Sequence, residues 1–341
     1  MGSESGRIIG MPLTCARLLP LLAALAVLGL LCGCGAARAG RPLAVGSPAT
    51  LPDSQHPHVV VIVMENREAG DVIGSSQAPY TTALAHRYGL AADSYAITHP
   101  SLPNYIALTS GSTQGISSDC TSCSVSVVNL VDQLEAAQLG WRAYLEDVPT
   151  PCFKGASAGG YAKKHNPFIY YRDVADRPSR CRRLVGFGAL ATDLRRGSLP
   201  TFSWISPNLC DDGHDCSTRT ADRFLARTVP ALLRELGPHG LLILTWDEGT
   251  SDAGCCGAAH GGRVATIVAG PDVRPGARQA AALDDYGVLA TIEHALSLPG
   301  LAGARNARAG NLDGLFASPP VLLPRKPPLP GQVGRLESSS P

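Results

Sequence analysis

Residues 59–66 read Val-Val-Val-Ile-Val-Met-Glu-Asn, and residues 241–249 read Leu-Leu-Ile-Leu-Thr-Trp-Asp-Glu-Gly. Continuous apolar runs of this length, rich in β-branched residues, suit strands that are covered on both faces, as in a parallel sheet. In open α/β sheets the ligand binds beyond the carboxyl ends of such strands. The pairs Glu65-Asn66 and Asp247-Glu248 are therefore predicted to converge on one divalent cation. The alternative is that each pair is an ordinary solvated strand end.

Strand-like and helix-like segments alternate along the rest of the chain. Further strands are predicted at 141–146, 201–205 and 264–269, and helices at 79–89, 101–111, 128–137, 221–233 and 284–296. Gly89 is interpreted as a helix C-cap and Pro230 as the site of a kink. Residues 149–199 have weak periodicity and are interpreted as an insertion or cap over the edge of the sheet. The alternation predicts an α/β fold, a three-layer sandwich with a mostly parallel central sheet.

The first 40 residues have the pattern of an export signal. The apolar run 18–31 is short for a transmembrane span, and Ala37-Arg38-Ala39 is an A-x-A cleavage site. The segment Leu31-Cys32-Gly33-Cys34 also resembles a bacterial lipobox, so lipidation of Cys34 and membrane attachment are the alternative to cleavage. In both cases we expect an extracytoplasmic protein, secreted or held at the cell surface.

Cysteine usage agrees with export. Eight of the 11 cysteines lie beyond the signal, and an even number in an exported chain predicts disulfides. A zinc site formed by Cys120-x-x-Cys123 with Cys255-Cys256 is the alternative. The eight are Cys120, Cys123, Cys152, Cys181, Cys210, Cys216, Cys255 and Cys256.

The composition limits the remaining classes of protein. Residues 318–341 are rich in Pro, Gly and Ser and are predicted to form a disordered tail, which leaves one large domain at 57–317. The net charge is +1 and there is no long basic run, which argues against nucleic acid as a partner. The sequence implies no protein partner.

A third polar segment, His-Pro-Ser-Leu-Pro-Asn-Tyr at residues 99–105, precedes a predicted helix. A hydroxyl at Ser101 would lie near the positive end of the helix dipole, which stabilises both an alkoxide and a phosphoryl oxygen. A metal ion alongside would make Ser101 an activated nucleophile, and Asn104 is predicted to donate to a phosphoryl oxygen. The alternative is that Ser101 is an ordinary N-cap and Asn104 a surface polar residue.

These segments, taken in order, resemble a known family. The motifs that carry the resemblance are Val-Met-Glu-Asn at 63–66, the 99–105 segment, Tyr-Leu-Glu-Asp-Val-Pro at 144–149, His-Asn-Pro-Phe at 165–168 and Thr-Trp-Asp-Glu at 245–248. They resemble the bacterial phosphoesterase family of exported acid phosphatases and phosphatidylcholine-hydrolysing phospholipases C, which is related to the alkaline phosphatase superfamily. The resemblance covers residues 57–300 and implies an alkaline-phosphatase-like fold.

The resemblance also implies site residues and a cofactor. It implies a metal ion held by Glu65, Asn66, Asp247 and Glu248, and a phospho-enzyme intermediate on Ser101. Wider superfamily members often hold two zinc ions and have an Asp-His pair where this chain has Asp-Glu. Oxygen ligands in place of imidazole favour calcium, magnesium or manganese, with zinc left open.

Three histidines complete the predicted site. The resemblance favours His165, His214 and His260 as groups that bind phosphate oxygens or protonate the leaving alkoxide. Alternatively, Asp212, His214 and His260 form a second metal site, and each lone loop histidine could also be merely solvated. The part played by His99 stays open, because it could serve only to cap the helix entry.

The function predicted from the sequence is an exported metal-dependent phosphoesterase that forms a phosphoserine, foremost an acid phosphatase acting on phosphate monoesters. A phospholipase C is the first alternative, disfavoured because those enzymes tend to carry extra C-terminal domains that this sequence does not show. Sulfatase-like chemistry is disfavoured because Tyr105 stands where the C/S-x-P-x-R pattern has Arg. A non-catalytic exported binding lipoprotein on the same fold is the alternative of another class.

Overall fold

The computed structural model describes residues 57–322. The predicted export signal, the lipidation of Cys34 and most of the predicted tail lie outside the described residues. Within residues 57–322, no helix combines the length and the apolar character needed to cross a membrane.

The described residues form eleven strands, nine α-helices and several short 3-10 helices. The strands are β1 (Val59–Met64), β2 (Gly89–Tyr95), β3 (Trp141–Leu145), β4 (Ser157–Ala158), β5 (Tyr161–Ala162), β6 (Leu184–Val185), β7 (Phe202–Ser206), β8 (Leu241–Trp246), β9 (Arg263–Ala269), β10 (Ala277–Gln279) and β11 (Leu283–Asp284). The helices are α1 (Ala69–Val72), α2 (Pro79–Arg87), α3 (Ser101–Ser110), α4 (Leu130–Ala136), α5 (Arg172–Ala175), α6 (Pro178–Cys181), α7 (Phe187–Arg196), α8 (Thr218–Glu235) and α9 (Asp285–Ala295).

One sheet organises the fold, with the strand order β10-β2-β9-β8-β1-β7-β3-β6, and β11 also pairs with β2. Strand β1 lies between β8 and β7 and runs parallel to both. Strand β9 is antiparallel to its neighbours β8 and β2, whereas the other pairings in this sheet are parallel. The predicted α/β class with a mostly parallel sheet is confirmed.

The apolar runs form central strands because both of their faces are buried. Along β1, Val59, Val61 and Val63 enter one hydrophobic core, while Val60, Ile62 and Met64 enter another. Side chains of α3, α4 and α9 fill the first core, and side chains of α1, α2 and α8 fill the second. Alternate residues of one strand thus contact helices on opposite faces, which produces three layers.

The prediction for Gly89 is wrong, and the strand that it begins was not predicted. Helix α2 ends at Arg87, and Gly89 is the first residue of β2. A Cβ atom at Gly89 would lie 3.0 Å from Val273 Cγ1 and 3.1 Å from Leu315 Cβ. This glycine therefore serves close packing against neighbouring segments and does not cap the helix. Pro230 lies inside α8, which continues to Glu235.

Residues 149–199 contribute both to the sheet and to its carboxyl edge. They supply the edge strand β6, the small hairpin of β4 and β5, and helices α5 to α7. A 3-10 helix at Lys163–His165 carries two side chains that reach the site described below. The interpretation of residues 149–199 as an insertion or cap over the sheet edge stays a prediction.

All eight cysteines beyond the predicted signal are paired. The zinc alternative is not formed, because Cys120 is bonded to Cys123 and Cys255 to Cys256. The other bridges are Cys152–Cys181 and Cys210–Cys216, the second of which closes the loop that contains Asp212 and His214.

Candidate active site

The two polar pairs meet where β1 and β8 end. These strands are parallel neighbours with Met64 opposite Trp246, so the residues that follow them emerge side by side. The backbone N–H of Asn66 donates to Asp247 Oδ1 at 3.1 Å. Ser101 Oγ lies 3.2 Å from Glu65 Oε2 and 3.1 Å from Glu248 Oε1. The structure thus brings together residues that are up to 183 positions apart in the chain.

Ser101 is the first residue of α3, and Pro100 occupies the N-cap position. The hydroxyl is therefore not an N-cap, and its hydrogen bonds go to the two carboxylates. The backbone N–H of Leu102 donates to Asp119 Oδ1 at 3.0 Å, and Pro103 has no N–H. The positive end of the helix dipole still faces the cluster, but these two residues offer no free amide to a ligand.

The carboxylates crowd one another in a buried space. Burial raises the pKa of Asp247 well above its usual range, and the negative charges of Glu65 and Glu248 raise it further. Burial also raises the pKa of Glu248, although the hydrogen bond from His99 opposes this shift. Asp247 Oδ2 is buried without a hydrogen-bond partner. A bound cation would relieve both the repulsion and the unpaired oxygen.

The side chains at this point fit the metal ion that the fold family implies. Glu65, Asn66, Asp247 and Glu248 offer carboxylate and amide oxygens, which are the ligands of hard divalent cations such as Ca²⁺, Mg²⁺ and Mn²⁺. The unpaired Asp247 Oδ2 gives this set a free ligand atom in the interior.

His165 lies behind Glu65 and is only 2% exposed. Its Nε2 is 3.0 Å from Glu65 Oε1, and its Nδ1 is 3.1 Å from Asp212 Oδ2. Burial alone would lower the pKa of His165, but the two carboxylates raise it to about 9. Burial would raise the pKa of Glu65, but the positive charge of His165 lowers it to about 2, helped by the Tyr105 hydroxyl 2.6 Å away. As an imidazolium, His165 keeps Glu65 ionised and in place.

The predicted second metal site is not formed. Among the described residues, Glu65, His165 and Asp212 form one group of three buried side chains whose ligand-type atoms lie within 4.8 Å of one another, and neither His214 nor His260 belongs to it. Asp212 Oδ2 lies 3.1 Å from His165 Nδ1, and its Oδ1 accepts from the backbone N–H of His214 at 2.7 Å. The predicted Asp212–His214–His260 cluster is therefore wrong, because the imidazolium of His165 pairs with Asp212 instead.

His214 and His260 have other partners. His214 Nδ1 lies 2.6 Å from Asp215 Oδ1, and its Nε2 lies 3.1 Å from Lys164 Nζ. His260 Nε2 lies 3.2 Å from Thr98 Oγ1. His260 Nδ1 lies 3.1 Å from the Ala258 carbonyl oxygen, so His214 is connected to the site through Lys164, whereas the side-chain contacts of His260 do not reach the carboxylate cluster.

Asn104 does not fit its predicted part as a phosphate donor. Its side chain is fully buried, and its Nδ2 donates to the carbonyl oxygens of Thr98 at 2.7 Å and Pro100 at 3.2 Å. Its Oδ1 accepts from the Thr98 N–H at 2.9 Å. Both amide protons are used, so Asn104 fixes the turn that leads into α3 and thereby the position of Ser101.

Sequence reasoning missed Lys164, the cation closest to the hydroxyl. Its Nζ lies 3.4 Å from Ser101 Oγ and 3.1 Å from Asp119 Oδ2. Burial would lower the pKa of Lys164, but the carboxylates of Glu65 and Asp119 raise it, so the side chain stays charged. The one feature of the sequence that could have indicated Lys164 is its position directly before the His-Asn-Pro-Phe motif, since the surrounding stretch has weak periodicity.

His99, left open by the sequence, contacts the cluster directly. Its Nδ1 is bonded to Glu248 Oε2, and its Nε2 lies 3.2 Å from the carbonyl oxygen of Ser251. Burial lowers the pKa of His99, but the bond to Glu248 more than offsets this and raises it. His99 therefore orients one oxygen of Glu248 while Ser101 contacts the other.

A serine at a helix N-terminus thus faces a carboxylate cluster at the carboxyl edge of the sheet in a three-layer α/β sandwich. Residues 71–299 match the sequence model of the Phosphoesterase family. The chain belongs to this family and is a phosphoric ester hydrolase.

Relatives of known function lie within the same class. A phosphatidylinositol-3-phosphatase of Mycobacterium tuberculosis is 34% identical over 73% of this chain and 80% of its own length. A phosphate-repressible acid phosphatase of Penicillium chrysogenum is 32% identical over 49% of this chain, and an acid phosphatase of Aspergillus fumigatus is 28% identical over 64%. The matched regions span 42% and 50% of these two fungal enzymes.

Solved structures agree on the fold. An alkaline phosphatase superfamily protein of Vibrio parahaemolyticus has a TM-score of 0.51 at 12% identity, over 70% of this chain and 65% of that chain. A lipoteichoic acid synthase of Listeria monocytogenes has a TM-score of 0.51 at 9% identity, over 77% and 76% of the two chains. At these identities the likeness concerns the fold alone.

Proposed function

We propose that this protein is an exported, metal-dependent acid phosphatase that hydrolyses phosphate monoesters through a phosphoserine at residue 101. The observation that carries the proposal is the position of Ser101 Oγ, within 3.2 Å of two carboxylate oxygens and 3.4 Å from the Lys164 ammonium. The names of the relatives, acid phosphatases and a phosphatidylinositol-3-phosphatase, support a phosphatase.

The first step is attack by Ser101 Oγ on phosphorus. The Oγ–P bond forms, the bond from phosphorus to the leaving alkoxide breaks, and the alkoxide takes a proton from solvent. The serine proton passes to water, while Glu248, to which Ser101 donates, orients the hydroxyl for attack. Glu65, Asn66, Asp247 and Glu248 would hold the divalent cation, which would supply positive charge that favours the serine alkoxide and offsets the charge of the phosphoryl oxygens. In the second step the oxygen of a water molecule bonds to phosphorus, the Oγ–P bond breaks, inorganic phosphate leaves and Ser101 Oγ takes up a proton from the attacking water.

Lys164 supplies the other positive charge beside the reacting atoms. A phosphoryl group on Ser101 would come within hydrogen-bond reach of the ammonium, which stabilises the charge that its oxygens carry. Asp119 and His214 both contact Lys164 Nζ at 3.1 Å and so fix its direction. Asp215 Oδ1 lies 2.6 Å from His214 Nδ1 and orients the imidazole ring whose Nε2 faces Lys164.

Export to the cell surface or the medium is part of the proposal. Four disulfides among the described residues suit an oxidising compartment. The predicted signal at 1–40, with Cys34 as the lipidation alternative, supplies the route.

The proposal is tested by measuring hydrolysis of an aryl phosphate monoester, a diester and phosphatidylcholine across pH with Ca²⁺, Mg²⁺, Mn²⁺ and Zn²⁺. We expect monoester turnover that a chelator abolishes and that Ser101→Ala removes. Faster turnover of phosphatidylcholine than of the monoester would support the phospholipase C alternative instead. Absence of turnover on all three substrates with every metal would leave the non-catalytic binding protein.

A further inference from the structure

A cavity of about 540 Å³ opens beside the carboxylate cluster, and nothing in the chemistry above uses it. Asn66 and Thr250 both line it, and each lies within two residues of a carboxylate of the cluster. Asn66 Nδ2 donates to Glu65 Oε2 at 3.1 Å, and this oxygen also accepts from Ser101. The cavity wall is therefore in direct contact with the ligand set of the reacting hydroxyl.

The cavity and the nucleophile approach the sheet edge from opposite layers. Helix α3, which carries Ser101, packs in the core that contains Val59, Val61 and Val63. Helix α1, which lines the cavity with Gly70 and Asp71, packs through Ala69 and Val72 in the core on the other face. In phosphoryl transfer the attacking and leaving oxygens lie roughly in line with phosphorus between them. The cavity therefore opens on the side of the sheet edge away from α3, where it offers room for a leaving group.

The lining of the cavity suits hydroxyl groups. The exposed carboxylate of Asp71 makes no hydrogen bond or ion pair to any part of the chain that the structure describes, and neither does the hydroxyl of Thr250. The side-chain N–H groups of Gln77 also have no acceptor there, while its Oε1 accepts from Arg219. Ile73 is the one large apolar side chain in the described lining.

The wall next to the site is held in place. Arg67 donates to Thr218 Oγ1 at 3.1 Å, to the Asn66 carbonyl oxygen at 2.7 Å and to the Cys216 carbonyl oxygen at 2.9 Å. These three bonds connect the turn after β1 to the start of α8. A fixed wall with unused donors and acceptors is a preorganised binding surface. An acyl chain or an unsubstituted aromatic ring would instead cover Asp71 without satisfying its carboxylate, which is unfavourable.

We propose that this cavity binds the alcohol portion of the substrate and selects polyhydroxylated leaving groups. The inference rests on the proposed phosphatase function and adds a substrate class to it. Asp71 accepts hydrogen bonds from ring or chain hydroxyls, and Thr250 and Gln77 contribute further polar contacts. The same chemistry is offered by a free sugar or polyol phosphate and by the headgroup of a phosphoinositide lipid.

The first test measures kcat/KM for an inositol monophosphate and for 4-nitrophenyl phosphate, which has no hydroxyl groups on its leaving group. Since hydrogen bonds to charged groups are the stronger ones, Asp71→Asn is expected to lower the ratio of the two values about tenfold. Asp71 is exposed, so the substitution does not threaten folding. Asp272→Asn is the matched control, since Asp272 follows the antiparallel β9 at the opposite edge and pairs with His239. The ratio of the two kcat/KM values for Asp272→Asn should equal the ratio for the wild type.

A second variant tests the space rather than the charge. A Cβ atom at Gly70 meets nothing within 4 Å, so Gly70→Leu fills the cavity mouth without a clash at its Cβ. We expect it to lower kcat/KM for inositol monophosphate more than for methyl phosphate, whose leaving group is small.

The outcomes separate the two levels of the proposal. Wild-type enzyme that hydrolyses no monoester contradicts the phosphatase function itself. Active enzyme whose substrate ratio is the same in wild type, Asp71→Asn and Gly70→Leu contradicts the polyol site alone. If the ratio falls as expected, comparing soluble inositol monophosphate with phosphatidylcholine vesicles that carry a phosphoinositide monophosphate shows which source of the headgroup is preferred.

Discussion

Ser101 has two kinds of neighbour, and together they decide its reactivity. Carboxylates of Glu65 and Glu248 accept its hydrogen bond, and the Lys164 ammonium lies 3.4 Å from its oxygen. The carboxylates alone would disfavour a serine alkoxide and an incoming phosphate dianion. A cation held by those carboxylates and the charge on Lys164 reverse this, because both favour negative oxygens.

The contribution of Lys164 is tested by Lys164→Met, which keeps the length of the side chain and removes the charge. We expect kcat/KM for a monoester to fall by about 100-fold or more, as for loss of an electrostatic stabiliser of the transition state. Lys154→Met is the control, since Lys154 is exposed and pairs with Asp176 away from the site. Activity of Lys164→Met within about twofold of wild type would remove Lys164 from the mechanism.

At the residue level, the sequence predicted the site residues that follow strands better than the site residues that lie in loops and turns. Glu65 and Asp247 follow apolar runs whose periodicity is easy to recognise, and parallel pairing then places them together. Lys164 is 63 positions from Ser101, in a segment without clear periodicity, and its contact depends on tertiary packing. The prediction that Asn104 contacts the phosphate missed its hydrogen bonds to the Thr98 backbone. These bonds depend on the shape of one turn, which sequence spacing does not reveal.

Among the elements, the long apolar strands and amphipathic helices were predictable, and the short or crowded ones were not. The strands β1 and β8 match their apolar runs residue for residue. In contrast, β2 reads Gly-Leu-Ala-Ala-Asp-Ser-Tyr, with little β propensity, and forms because β9 pairs with it. The prediction of a helix cap at Gly89 failed because a glycine that follows a helix usually ends it, whereas here this glycine begins the unpredicted strand β2.

Helix α9 contains a buried carboxylate that makes stability depend on pH. Glu293 is 2% exposed, and its Oε1 accepts from Gln133 Nε2 at 3.0 Å and from the Leu301 N–H at 2.8 Å. Its Oε2 is buried without a partner. Burial raises the pKa of Glu293 from 4.5 to about 7, although these two hydrogen bonds oppose the shift.

The folded state therefore holds this proton more tightly than the unfolded state. The contribution of Glu293 to the free energy of unfolding is greatest below pH 4.5, where the carboxyl is protonated in both states, and falls as pH rises to about 7. The loss is at most roughly 3 kcal/mol, from about 1.4 kcal/mol per pKa unit.

Glu293→Gln removes this titration while keeping the shape of the side chain. Chemical denaturation should show the variant to be more stable than wild type near pH 8 and no more stable near pH 4. An equal difference at both values of pH would show that Glu293 does not titrate in this range.

At the scale of the whole molecule, the fold brings side chains from the ends of β1 and β8 and from the start of α3 to one edge of the sheet. These side chains are Glu65, Asn66, Ser101, Asp247 and Glu248. The two outer layers bury both faces of β1 and β8, so their ends are fixed relative to α3. Disulfides at Cys120–Cys123 and Cys210–Cys216 close the loops that contain or adjoin Asp119 and Asp212. The site is thus held by both the core and the covalent links.

The affinity of the protein for the cation should depend on pH. Burial raises the pKa of Asp247 and of Glu248, and a cation binds their ionised forms. We therefore expect the Kd for Ca²⁺, Mg²⁺ or Mn²⁺ to increase as pH falls, and binding to release protons. Calorimetric titration in two buffers of different ionisation enthalpy measures both quantities.

The matched variants for this titration are Asp247→Asn, which should abolish binding, and Asp272→Asn, which should not change it. A Kd that is independent of pH, or unchanged binding by Asp247→Asn, would contradict the metal site assigned to the cluster.

The central claim is that Ser101 becomes phosphorylated during turnover. The direct measurement mixes the metal-loaded enzyme with excess monoester, quenches it in acid within the first turnovers, and analyses the peptides by mass spectrometry. The account predicts one phosphoryl group on the peptide that contains residue 101, located on Ser101, and none in Ser101→Ala. Turnover by the wild type without a phosphorylated peptide, or with the group on another residue, would contradict it.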